Sequence, residues 1–308
     1  MSNYEKGLPK DFDAPAGLPK SDEQARMWQQ ANRTWWEKNP MRYDWKEGIE
    51  HEEYSREFFQ EIDRRFFHKV WEFMPWKKTP FDPIAPYDEL TNKDVLEIGV
   101  GNGSAAQQLA SAAKSFTGID LTDYAYNSTS KRMEVFNIDA AIRQMDAEKM
   151  EFDDNSFDYI WSWGVIHHSS NTGQILKEMH RVLRPGGKAT TMVYFRNPWN
   201  YWFCAGFLRG ILMGKLFKLG SVNAVMQQWW DGAIARFYTT SEWEEAVSPY
   251  FNVKKTIIYG SKPELVPLPG SKFKDFVLSM MPNWLGRFMG TTCRMGTFLV
   301  TELERKDI

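Results

Sequence analysis

The stretch NKDVLEIGVGNGSAAQQLA, residues 92–110, sets a carboxylate, Glu97, two positions before the first of three alternating glycines, Gly99, Gly101 and Gly103. Residues of these types, closing an apolar run, can hold a nucleotide-like ligand. Glycines admit close backbone approach, and the first N–H groups of a following helix attract a negative group. A second acid, Asp120, comes 23 residues after Glu97 at the end of the apolar run SFTGID, where a carboxylate can accept hydrogen bonds from ribose hydroxyls. The spacing is G-x-G-x-G rather than G-x-G-x-x-G, with Ser104 where a dinucleotide fingerprint has its third glycine. No Lys followed by Ser or Thr closes this glycine loop, which excludes a P-loop here.

Such groups need several strand ends brought to one edge, and the flanking pattern supplies them. DVLEIGV reads as a buried strand and SAAQQLASAA as the helix after it. SFTGIDL, the run AAIRQMDA leading to an acid, FDYIWSWGV and KATTMVYF are further strands, with helices at YNSTSKRMEVFNI and NTGQILKEMHRVLRPGG. The second of these helices has Asn171 and Gln174 spaced as a capping box and is stopped by Pro185 and Gly186. Strands alternating with helices predict a parallel sheet covered on both faces. After residue 195 the rhythm breaks into an apolar, aromatic insertion at 196–239. A short helix at SEWEEAV follows, with Ser241 and Glu244 spaced as a capping box, then a strand FNVKKTIIYG, an irregular insertion at 261–294 and a last strand MGTFLVTELE.

The order E-x-G-x-G-x-G after a strand resembles motif I of the class I S-adenosylmethionine-dependent methyltransferases, and FDYIWSWGVIHH and EMHRVLRPGGK match that family's later motifs in order and spacing. The resemblance covers residues 90–195, with the small-molecule, quinone-biosynthesis type nearest in character. It implies an α/β fold: a Rossmann-like, doubly wound sheet of seven strands with the last antiparallel. It also implies the cofactor S-adenosylmethionine and roles for single residues. Glu97 would orient the methionyl amine, and Gly99, Gly101 and Gly103 would let the backbone approach. Asp120 would bind the ribose, Asp146 the adenine amino group, and Leu121 and Ala147 would flank the adenine, with Trp163 completing the cofactor set. The sulfonium methyl is already an electrophile, so the protein mainly aligns the acceptor; a base is needed only if the nucleophile carries a proton.

His167 and His168, after the fourth strand, are candidate bases, against the alternative that their rings pack and cap the next helix. WWEKNPMRYDW places Tyr43 and Trp45 as candidates for the catalytic and acceptor side of an N-terminal segment folding over the cofactor, with aromatic packing as the alternative. NPWNY, residues 197–201, lacks the second Pro of the N-P-P-Y motif of nucleic-acid amino methyltransferases and follows the fifth strand, not the fourth. Trp199 and Tyr201 are assigned instead to an aromatic cover over the acceptor. Of 14 Trp, six precede residue 93 and four lie in 196–239. Residues 200–294 carry 11 basic and 6 acidic groups, which suits an apolar or anionic small molecule, a membrane surface, a packed lid or a dimer interface.

The chain has 308 residues, 43% of them hydrophobic and 25% charged, and a net charge of −2, so it can bury a full core and nucleic acid is disfavoured as main partner. Cys204 and Cys293 make no disulfide framework, and no Cys/His cluster suggests a metal. The polar start MSNYEKGLPKDFDAP and the interruption of the longest apolar run by Arg209 lead to the expectation of a soluble cytoplasmic protein. Residues 1–22, with GLPK twice, are expected to be a flexible arm, 23–92 a helical lid segment, and 93–308 the catalytic domain. In HEEYSREFFQEIDRRFFHKVWEF, Tyr54, Phe58, Ile62, Phe66 and Val70 recur at four-residue steps. The reading is therefore methyl transfer to a small, hydrophobic or aromatic acceptor. Its rivals are a nucleic-acid or protein methyltransferase and a non-catalytic cofactor-binding regulator.

Overall fold

The computed structural model describes residues 12, 14–44, 47–268 and 270–307. The helical N-terminal part is made of two helices. The first, α1 (Asp22–Lys38), is capped by Ser21, which accepts from Gln24 N, and carries Asp22 and Glu23 in its first turn. Its buried positions are Gln24, Trp28 and Asn32, so the inward stripe of this helix is largely polar. The second, α2 (Arg56–Phe73), is capped by Ser55 and buries Phe58, Ile62, Phe66 and Val70, the expected stripe. Tyr54 lies before the cap, with a φ of 67°, and is only partly buried.

From there strands and helices alternate: β1 (Asp94–Ile98), α3 (Ser104–Ala112), β2 (Ser115–Asp120), α4 (Asp123–Phe136), β3 (Ala141–Gln144), β4 (Phe157–Trp163), α5 (Thr172–Val182) and β5 (Leu183–Phe195). The turn residues Pro185 and Gly186 fall inside β5, which begins directly after α5. A π-helical segment (Pro198–Leu212), α6 (Lys215–Leu219), α7 (Val222–Gln227) and β6 (Phe237–Tyr238) make up most of the first insertion. Then come α8 (Thr240–Val247), β7 (Phe251–Tyr259), α9 (Lys262–Leu265), α10 (Lys272–Met280), α11 (Asn283–Arg287), a second π-helical turn (Phe288–Thr292) and β8 (Phe298–Arg305). The second insertion is thus mainly helical where an irregular course was expected. The capping box of α8 is Thr239 with Glu242, two residues before the expected pair, because the Thr239 hydroxyl meets Glu242 N while the Glu242 carboxylate returns to Thr239 N.

The sheet order is β3-β2-β1-β4-β5-β8-β7, the seven expected strands, with the two-residue β6 pairing β5 as an eighth. β1 to β5 run parallel, and β8 is antiparallel to both β5 and β7. Alternate residues serve two cores. Leu96, Ile98 and Ile160 face a cluster with α5 and α8, while Val95 and Trp161 face one with α2 and α3. Part of the expected arm is packed rather than free. Phe12 is buried against Trp28, Phe237 N donates to Pro15 O, and Arg236 Nε donates to Gly17 O.

Candidate active site

Chain order reverses between β1 and β4, and crossovers leave in opposite directions there, which opens a crevice at the carboxyl ends of the strands. Glu97, Asp120 and Trp163 all lie at these ends. The glycine loop is built for its turn. Gly99 has a φ of 83°, and a Cβ on it would stand 2.1 Å from Val165 Cγ2. Gly101, with a φ of 54°, has no heavy atom within 4 Å of a notional Cβ, so its backbone borders open space. Gly103, also left-handed, is the N-cap of α3 and leaves the first N–H groups of that helix without a side-chain cap.

Glu97 is buried, and its Oε2 has no hydrogen-bond partner. Burial, and then the charge of Asp120, holds its carboxyl well above the usual range. Asp120 accepts from Gly101 N at 3.1 Å through Oδ2, and from Thr122 N at 3.0 Å and Thr122 Oγ1 at 2.9 Å through Oδ1. Burial raises its pKa too, while these bonds work the other way. Asp146 accepts from Gln29 Nε2 at 2.9 Å and Glu148 N at 2.9 Å, and burial raises its pKa. Leu121 and Ala147 follow these two acids and are partly buried. The orphaned Glu97 oxygen and the open Gly101 backbone fit the expected cofactor: a cationic amine would satisfy the first, and a ligand could lie against the second.

Much of what holds this edge in place had no sequence signal. The guanidinium of Arg132, fully buried on α4, pairs with Asp63 of α2 at 2.8 Å, and Ser104 Oγ at the start of α3 donates to the same carboxylate at 2.5 Å. The cluster ties the loop helix to its neighbours. Asn102, inside the glycine loop, donates to Met41 O at 3.0 Å and accepts from Ser128 Oγ at 2.9 Å. Helix α1 lies across the crevice through polar contacts. Gln29 joins Asp146 to Ser170 N, Asn32 donates to His168 O and accepts from Ile234 N, and Glu37 accepts from Asp123 N and Tyr124 N at the start of α4.

The candidate catalytic residues divide. His167 is fully buried, with its ring 3.9 Å from that of Tyr194. Burial, with His168 and Arg236 nearby, holds its pKa well below the usual value, so it is a neutral packed ring. His168 Nδ1 lies 2.6 Å from Ile234 O, and its ring meets Trp36 of α1 edge-on at 4.9 Å. The loop that carries both rings is clamped from two sides. Arg236, also buried, donates to Ser169 O, Ser170 O and Gly17 O, and Glu148 accepts from Ser169 Oγ, Ser170 Oγ and Asn171 N.

Tyr43 has a φ of 60°, an uncommon conformation for a bulky residue, and stacks on Phe66 at 5.1 Å under Lys69. Burial and the charge of Asp231 raise its pKa, and Asp231 and Tyr43 both act on Tyr194. Trp163 packs against Phe81 at 4.9 Å and stacks with Trp161. Tyr201 is buried against Phe237 in one cluster with Tyr194 near the end of β5, and Trp199 stacks on Phe203 in the π-helical segment. Trp45 lies outside the described residues.

Comparison with known proteins agrees with this geometry. Residues 96–191 match the family model described as "Methyltransferase domain". The chain is 26% identical over 159 residues to a ubiquinone biosynthesis O-methyltransferase of Pseudomonas aeruginosa, covering 50% of this chain and 68% of that protein. It is 36% identical over 101 residues to a phthiotriol/phenolphthiotriol dimycocerosates methyltransferase of Mycobacterium tuberculosis, covering 32% and 37%. In fold it resembles a geranyl diphosphate C-methyltransferase from Streptomyces coelicolor A3(2), with a TM-score of 0.54, 13% identity and coverage of 94% of this chain and 100% of that one. The matched segment begins at Leu96 and ends at Thr191, so it takes in the glycine loop, both acidic strand ends and the His pair, and these likenesses support a class I S-adenosylmethionine-dependent methyltransferase domain in this stretch.

Proposed function

We propose that the enzyme methylates a small hydrophobic or aromatic acceptor held between the strand ends and an aromatic cover. The observation that carries the cofactor side is the unpartnered Glu97 Oε2 beside the open Gly101 backbone. Bound S-adenosylmethionine supplies a sulfonium methyl group that is already electrophilic. Glu97 would hold its methionyl amine, the N–H groups opening α3 its carboxylate, and Asp120 a ribose hydroxyl. Asp146 would take the adenine amino group, with Leu121 and Ala147 along the base. What remains for the chain is to align the acceptor and exclude water.

Support for an apolar acceptor comes from the aromatic surroundings of the strand ends and from relatives named for ubiquinone biosynthesis and for phthiotriol and phenolphthiotriol dimycocerosates. Tyr43, Tyr194 and Asp231 act on one another electrostatically, and we assign them to the acceptor side, with Trp163 kept in the cofactor set. If the acceptor carries a proton, we assign the base to His168, whose ring meets Trp36 of α1. A carbonyl can only accept, so the Ile234 contact puts a ring proton on Nδ1. The close ring contact of His167 with Tyr194 fits a packing role.

The test is incubation with methyl-labelled cofactor and separated lipid-soluble, aqueous, RNA and protein fractions, followed by mass spectrometry. Label in a lipid-soluble small molecule is expected. Label confined to RNA or protein would overturn the acceptor class, and a water-soluble product would overturn its apolar character.

A further inference from the structure

The π-helical segment winds so that each N–H reaches back five residues, and its burial follows that step. Asn200, Ala205 and Gly210 are buried, while Trp202, Phe207 and Leu212 are exposed. The outward stripe continues through Met213 to Phe217, which is 82% exposed on α6. A second segment repeats the pattern. Helix α10 buries none of its residues and shows Phe273, Phe276 and Met280 to solvent, followed by Trp284 at 64% exposure and Phe288. The two segments are neighbours at their bases: Asn200 Nδ2, in the first turn of the π-helical segment, donates to Met295 O, just past the second π-helical turn, at 3.2 Å. Monomeric soluble proteins rarely leave an apolar patch of this extent uncovered.

Charge narrows the occupant. Residues 198–221 carry Arg209, Lys215 and Lys218 and no acid, and residues 270–294 carry Lys272, Lys274, Arg287 and Arg294 against Asp275 alone. A second copy of the chain seated here about a two-fold axis would bring these cations against their own equivalents. An anionic surface would meet them with opposite charge. Aromatic and leucine side chains beside lysines are the composition of segments that lie in the interface of a bilayer. No helix among the described residues is long and apolar enough to cross one.

We propose that this face seats the enzyme on an anionic phospholipid bilayer, with the π-helical segment and α10 lying in the headgroup region. Its position gives the contact a purpose. The first segment leaves the sheet where β5 ends at Phe195, and the second returns where β8 begins at Phe298, beside it at the carboxyl edge. Asn197 Nδ2 donates to Gly296 O and ties the two departures together. The bilayer face therefore stands at the edge of the sheet that carries the glycine loop. An acceptor dissolved in the membrane would reach the strand ends without crossing water, a consequence that rests on the apolar acceptor proposed above.

Co-sedimentation of the full chain with vesicles of phosphatidylcholine, and of phosphatidylcholine mixed with phosphatidylglycerol, tests the docking. Binding to the anionic vesicles is expected to exceed binding to the neutral ones by about tenfold or more and to weaken with salt. Lys218→Gln with Lys272→Gln should cost about tenfold of that binding, and Phe217→Asp with Phe276→Asp should abolish it. S-adenosylhomocysteine affinity and the melting temperature, measured on the same variants, should not change, which separates a failure of docking from a failure of folding or of the methyltransferase reading. No preference for anionic vesicles would overturn the proposal. So would a dimer in sedimentation equilibrium that Phe217→Asp dissociates, which would make this face an interface between copies of the chain.

Discussion

Glu97 and Asp120 stand at the carboxyl ends of adjacent parallel strands, Glu97 opposite Gly118 in the register, and the Asp120 charge raises the pKa of a Glu97 carboxyl that burial has already raised. Two acids this close in a shielded site are not both comfortable as anions. A cationic amine placed between the strand ends would relieve both.

Glu97→Gln tests that relationship. Folding raises the Glu97 pKa, so between its unfolded value, about 4.3, and its folded value the unfolded chain has lost a proton that the folded chain keeps. Stability contributed by protonated Glu97 is full below the unfolded pKa and is lost as pH rises through that window. Gln removes this loss, and the ligand-free variant should be more stable than the parent at neutral pH. It should bind S-adenosylmethionine more weakly by about 1.5–3 kcal/mol, the scale of a charge-assisted hydrogen bond. Urea unfolding and calorimetry measure both. A variant less stable in the ligand-free state would show that Glu97 is a structural acid.

Asp120→Ala removes the acceptor for Gly101 N and for both donors of Thr122 as well as the ribose contact. Cofactor affinity should fall by at least about 1.5–3 kcal/mol. NAD should not bind to the parent in calorimetry, since the loop lacks the dinucleotide spacing. Micromolar NAD binding would contradict the assignment.

The Arg132–Asp63 pair should be the costliest polar contact to break. Arg132 is wholly enclosed and sits over the Phe59 ring, so Asp63→Ala leaves a buried cation uncompensated. A loss of about 3–5 kcal/mol is expected. Because Ser104 shares the carboxylate, cofactor affinity should drop in the fraction that stays folded. A loss below about 1 kcal/mol would place the pair with ordinary surface salt bridges.

His167 should set an acid limit on the fold. Its folded pKa is depressed, so the unfolded chain takes up a proton below about pH 6.5 that the folded chain refuses, and stability falls as pH drops through that value. His167→Phe should flatten this slope and leave cofactor affinity nearly unchanged. His168→Ala, if His168 acts as base, should lower turnover by roughly 10²-fold or more. Unchanged turnover in His168→Ala would leave both rings as packing.

Helix α1 docks by side-chain hydrogen bonds from Gln29, Asn32 and Glu37, contacts that can exchange with water more cheaply than an apolar face can. Amide exchange across residues 22–38 should slow when S-adenosylhomocysteine is added, and Tyr43→Ala should reduce turnover more than stability. High protection, equal with and without ligand, would make the helix a fixed layer rather than a lid.

What the sequence determined by itself was local or periodic. The alternation of strands and helices, the four-residue stripe of α2 and the glycine loop with its two acids were all legible, because backbone propensity and burial on one face repeat along the chain. Only the tertiary structure decided which polar residues close the site. Gln29 meets Asp146 across 117 positions, Arg132 meets Asp63 across 69, and Arg236 holds carbonyls of the His loop from 66 and 67 positions away. A polar side chain that pairs once, with a distant partner, leaves no period to read. The same reason explains the capping box shifted to Thr239 and the packed Phe12. Several residues offered chemically equivalent caps, and whether an arm is packed depends on the surface, here Trp28 and Arg236, that the rest of the fold presents to it.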